Sequence, residues 1–164
     1  MTRRPDHDLQ RRLRLASAQL VIERVEPREA VLLACDLLAA GASGGATLEL
    51  AIQSSSRLHQ NDADELLRAM LADWQIASTD LERSAEIVAH DLCRRLLARS
   101  LRPEECGHRL LGALAQTGDR AVTDRLLALL DRLEFELGGR ADDDLERELR
   151  ALARIVLDNR ERRC

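Results

Sequence analysis

Lysine and tyrosine are both missing from this 164-residue sequence, and Trp74 and Phe135 are its only aromatic side chains. All 25 basic residues are therefore arginine. The pattern fits GC-rich coding, since arginine, alanine, leucine, glycine and aspartate can be written with G and C, whereas lysine, tyrosine and phenylalanine codons need A or T. Whatever its cause, the missing lysine excludes Schiff-base catalysis, pyridoxal phosphate attachment and a P-loop lysine. A long apolar run is missing too. The longest stretch, Ala30 to Ala42, is interrupted by Asp36 and is too short to cross a bilayer. The N-terminus, Met1 to Asp8, carries two arginines and then acids where a Sec or Tat signal would have an apolar segment. The expected location is the cytoplasm.

Cysteine is scarce and irregularly placed. Cys35, Cys93, Cys106 and Cys164 follow no disulfide-framework spacing, and a cytosolic chain keeps such thiols reduced. Cys35 and Cys93 fall inside apolar helical stretches and read as small packed hydrophobes, with Cys164 exposed at the last position.

What is present is an ordinary globular balance, 33% charged and 45% hydrophobic, too apolar for a disordered chain and too polar for a membrane protein. A chain of this length buries one core without metals or disulfides, so residues 1–164 are expected to form a single all-helical domain. Pro27 opens a run that closes at Gly41, and Pro103 opens another that stops near Gly118, the usual placement of proline at the first helical position and glycine past the end. Asp62-x-x-Glu65 and Thr79-x-x-Glu82 read as capping boxes before apolar-periodic runs. The punctuation predicts about eight helices, near 7–25, 27–40, 46–54, 62–75, 80–100, 103–117, 120–137 and 142–161, and no strand alternation. Core-facing stripes run along Leu9, Leu13, Ala16 and Leu20, along Leu81, Ala85, Val88 and Leu92, and along Leu145, Leu149, Leu152 and Val156. Trp74 and Phe135 are expected to anchor the core.

Partial matches recur at offsets of 59 and 60 residues: Leu37-Leu38 against Leu96-Leu97, and Leu66-Leu67 against Leu126-Leu127. A degenerate duplication of a three-helix unit would place internal units at 27–78 and 80–139 with flanking helices 7–25 and 142–161, and would suggest a short HEAT-like stack. The period exceeds that of standard helical repeats, so an irregular multi-helix bundle is the default expectation.

Residues that carry chemistry are few. His90-x-x-Cys93 with Cys106-x-His108 supplies the nitrogen and sulfur ligands of a structural zinc. On the helix opened by Pro103, however, Cys106 and His108 point about 200° apart. No metal or other cofactor is expected. Glu105-x-x-His108 is half of a di-iron carboxylate site with no second half in the sequence. There is no His-Glu-x-x-His and no Gly-x-Ser-x-Gly, and an enzyme reading survives only where a cleft assembles distant Asp, Glu and His residues. The segment Val31 to Arg57 has the outline of a helix-turn-helix, with Thr47 opening a second helix that carries Gln53, Ser54 and Arg57. A net charge of −4 and a pI near 5.6 argue against nucleic acid, because neutralising phosphate supplies most of the affinity there.

The runs Leu37-Leu38-Ala39-Ala40-Gly41, Leu48-Glu49-Leu50-Ala51 and Leu96-Leu97-Ala98-Arg99, with Pro103-Glu104-Glu105-Cys106-Gly107, resemble a loose class of uncharacterised small helical proteins of high-GC bacteria. The resemblance touches about half the chain through unspecific motifs. It implies an all-helical fold and no particular activity; some proteins of this general look serve as partners or immunity factors in bacterial conflict systems. The reading that follows is a non-catalytic helical protein-interaction module of adaptor, immunity-type or regulatory kind. Its partner is expected to be another protein or a second copy of the chain, with no membrane. Arg94, Arg95, Arg99 and Arg102 are the candidate partner-binding patch. The alternatives are a zinc protein using His90, Cys93, Cys106 and His108, and a helix-turn-helix regulator.

Overall fold

A computed structural model of the chain describes residues 6–41, 43–135 and 143–161, with the side chains of 133–135, 160 and 161 outside that description. Within it the protein is all-helical, with eight helices and no strand: α1 (His7–Ile22), α2 (Pro27–Ala39), α3 (Gly45–Ala51), α4 (Gln60–Asp73), α5 (Leu81–Leu97), α6 (Pro103–Leu114), α7 (Arg120–Phe135) and α8 (Asp143–Glu161). All eight elements expected from the sequence are present, and most end earlier than the hydrophobic pattern suggests. The reason is that apolar residues past a helix end still bury. Val25, beyond α1, is in the core, and Ile76, beyond α4, packs against it.

Ile76 sits in a Schellman turn, in which its N–H donates to the Leu71 carbonyl at 3.0 Å and that of Gln75 to Ala72 at 2.9 Å. Gln75 takes the left-handed φ of 55° that this turn demands, and Arg99 takes 58° in the equivalent turn ending α5. A third boundary differs for another reason. The α4 helix starts at Gln60 behind His59, which leaves Asp62 inside the first turn, where it complements the helix dipole without capping.

The helices fall into two compact units, Met1–Asp80 and Leu81–Cys164. In the first, α2, α3 and α4 pack on one another, and α1 packs on α2 and α4. Leu13, Leu37, Leu50, Leu67 and Met70 are fully enclosed in its core. Thr47 is enclosed as well, and its hydroxyl accepts the indole N–H of half-buried Trp74 at 3.1 Å. Arg12 and Asp36, 2.7 Å apart, join α1 to α2 at the surface. Trp74 is thus a core anchor, while the Phe135 side chain lies outside the described residues.

In the second unit α5 packs on α6 and α8, α6 on α7 and α8, and α7 on α8. Its core holds Leu92, Leu96, Leu110, Leu126, Leu145 and Leu149. Of the three predicted stripes, those of α1 and α8 are buried apart from part of Leu20, whereas Leu81 at the start of α5 is 49% exposed. Each unit therefore combines a run of three consecutive helices with a fourth that packs on the first and third of the run. That fourth helix precedes the run in the first unit and follows it in the second.

Two glycines in α6 separate backbone approach from mere helix weakening. A Cβ on Gly107 would lie 2.6 Å from Leu130 Cδ2, so the missing side chain lets α6 and α7 close together. A Cβ on exposed Gly112 would meet nothing. Gly112→Ala is expected to raise stability by about 1 kcal/mol through helix propensity alone. Gly107→Ala gains the same propensity but must displace buried Leu130, and is expected to show little or no gain. Urea unfolding followed by far-UV circular dichroism checks both, and equal gains at the two positions would contradict the tight α6–α7 approach.

Candidate functional site

The four residues of the zinc alternative are not gathered into a site. Cys93, on α5, and Cys106, in the first turns of α6, are both fully buried, and the Cys106 thiol donates to the Leu92 carbonyl at 3.5 Å. His108 lies on the exposed side of α6, its Nδ1 3.0 Å from the carbonyl of Glu104. His90, on α5, is only 6% exposed. Among the described residues no three His, Cys, Asp or Glu side chains converge closely enough to share a metal ion.

The buried thiols are also poor nucleophiles. Burial pushes Cys93 up to about 12, reinforced by the neighbouring Cys106. Burial raises Cys106 to about 11, against the opposing pull of Arg109 and Arg95. The thiolate is the reactive form, so both are inert near neutral pH. Cys35, read as a packed hydrophobe, is exposed, with its thiol 3.7 Å from the Ala51 carbonyl. Cys164 lies outside the described residues.

The second helix of the helix-turn-helix outline does not carry the expected residues. Thr47 does not open α3 but sits inside it, buried under Trp74, and α3 ends at Ala51, so Gln53, Ser54 and Arg57 follow the helix in a turn. A recognition helix presents such side chains from its own face.

The arginine patch is arranged around the end of α5 and the turn into α6. Arg94, Arg99 and Arg102 are exposed and Arg95 is half-buried. Arg94 and Arg95 occupy the last turn of α5, and Glu104 and Glu105 the first turn of α6, each sign where the helix dipole favours it. No ion pair joins any of the four arginines to an acid among the described residues. By contrast Arg11, Arg83, Arg132, Arg147 and Arg150 each hold a carboxylate.

A cleft in the second unit was not anticipated as a site. It encloses about 200 Å³ between α5, the α6–α7 turn, α7 and α8. Ala89, Leu114, Val122 and Val156 give it apolar walls. Arg83, Glu86 and His90 enter from one face of α5, Thr117 and Asp119 from the α6–α7 turn, and Asn159 from α8. Arg83 and Glu86 pair at 2.7 Å. Asp119 caps α7, its Oδ1 accepting the Val122 N–H at 3.3 Å, and the Thr117 hydroxyl donates to the Leu114 carbonyl at 2.8 Å. The 3, 4 spacing of Arg83, Glu86 and His90 marks them as one helix face, and that was the signal available in the sequence. No known protein family, curated protein or solved structure matches the chain.

Proposed function

We propose that the chain is a non-catalytic helical module that binds another protein, in an adaptor, immunity-type or regulatory role. The observation that carries this reading is the set of arginines at the α5–α6 turn, charged, mostly exposed and without acidic partners among the described residues. A guanidinium is weakly hydrated and offers a planar fork of donors to a carboxylate, so an unpaired cluster favours an acidic protein surface. Burial takes Cys93 and Cys106 out of consideration as nucleophiles and leaves them as packing residues of this scaffold. A second copy of the chain is the other partner this reading admits.

Affinity capture from the native host, without crosslinking, tests it when run beside the Arg94→Glu/Arg102→Glu variant. Both side chains are exposed, so the fold is expected to survive the change. Reversal should weaken a reproducible partner's retention about tenfold or more, with the greater loss at low salt. Equal retention by both proteins, or no partner at all, would overturn the reading.

A further inference from the structure

We infer that the cleft of the second unit is a binding site for a small organic cation, a guanidinium or primary ammonium group on a short aliphatic stem. This goes beyond the protein-binding reading and does not depend on it. Arg83, the one arginine among the described lining residues, donates through Nη1 to Glu86 Oε2. The Thr117 hydroxyl has spent its proton on the Leu114 carbonyl, which leaves its oxygen as an acceptor. Asp119 uses Oδ1 to cap α7 and keeps Oδ2. Glu86 uses Oε2 and keeps Oε1. Among the described residues that line the cleft, two carboxylates stand against one guanidinium, which leaves an excess of negative charge, with acceptor atoms at Thr117, Asp119 and Glu86 beside the donors of Arg83, His90 and Asn159. An anion would add to that excess of negative charge, whereas a donor-rich cation offsets it and finds acceptors in the two carboxylates and the Thr117 oxygen.

The walls fit the same guest. Ala89, Leu114, Val122 and Val156 offer methyl and methylene surface to an alkyl stem, in the way long basic side chains bury their stems and keep the charged head among polar groups. The volume of about 200 Å³ is below that of drug-sized pockets, which start near roughly 300 Å³, and suits a ligand of a few carbons.

The test uses the full chain and backbone-amide chemical-shift titrations with butylguanidinium, putrescine, glutarate and 1,4-butanediol. Butylguanidinium or putrescine should shift amides of Glu86, Thr117, Asp119 and Val122 saturably, and glutarate and the diol should not. Asp119→Asn keeps a good helix cap while removing the charge, and Glu86→Gln keeps the shape of the side chain. The double variant should bind the cations about tenfold more weakly with its circular dichroism unchanged. An arm with a short end-capped peptide whose one charge is an arginine separates a free small molecule from a partner's side chain: tighter binding of the peptide assigns the cation to a protein, tighter binding of butylguanidinium to a free ligand. No saturable shift by any cation, equal binding of glutarate, or undiminished binding by the double variant would overturn the proposal.

Discussion

Raising the pH from 9 to 11 is expected to destabilise the second unit by on the order of 4 kcal/mol, a large share of the 5–15 kcal/mol that holds a typical domain together. The cause is the pair Cys93 and Cys106, whose thiols ionise near the ordinary value of 9.0 once unfolded but only near 12 and 11 in the fold. Above pH 9 the unfolded chain has shed protons that the native core still holds. Stability is therefore fully present below pH 9 and falls as the pH climbs toward the folded values. The composition makes this readable. Lysine and tyrosine, which normally dominate titration in this range, are absent, and arginine stays charged throughout. Urea unfolding at pH 8, 9, 10 and 11 should show a falling midpoint in the wild type. The Cys93→Ala/Cys106→Ala variant should start lower, because two small cavities open in the core, and then stay nearly flat. Parallel curves for the two proteins would show that these thiols are not the groups responsible.

The same pair shows what a sequence can and cannot disclose. Leu145, Leu149 and Leu152 declare their burial through spacing alone, because a helix with one apolar stripe has one way to face a core. Cys35 was misread because the surrounding run is apolar and because it stands one turn after Val31, at the edge of the buried stripe of Ala30, Val31, Leu33, Ala34 and Leu37, where spacing does not tell a packed position from an exposed one. His90 is the converse case. It flanks the stripe of Ala85, Ala89 and Leu92, and its enclosure depends on other helices of the unit, whose placement no local pattern encodes.

The cleft has the same character. The α5 face bearing Arg83, Glu86 and His90 was visible as a spacing, but Asp119 and Asn159 join it only because α7 and α8 pack where they do. Asp119 was also hidden behind a structural role, since a helix-capping aspartate looks the same in sequence whether or not its second oxygen is free. The arginine patch was legible as a cluster. Its lack of acidic partners among the described residues was not, because pairing is decided by side-chain geometry.

Leu67→Ala is expected to cost about 3 to 4 kcal/mol in the first unit, near the middle of the range for buried leucines. Leu67 is fully buried on α4, the helix against which α1, α2 and α3 all pack. The loss has two parts: the transfer of the missing methyl groups, and a cavity whose walls come from several helices and so collapse poorly. Trp74 is the natural reporter. It is the sole tryptophan, it caps the C-terminus of α4, and its indole is tied to Thr47 in the same core. Its emission should therefore follow unfolding of this unit, with the urea midpoint dropping sharply in Leu67→Ala. Leu48→Ala provides the contrast, because Leu48 is 53% exposed on α3 and loses little burial on truncation, so a change within about 0.5–1 kcal/mol is expected. Comparable midpoints for the two variants would mean that α4 does not form the centre of this core.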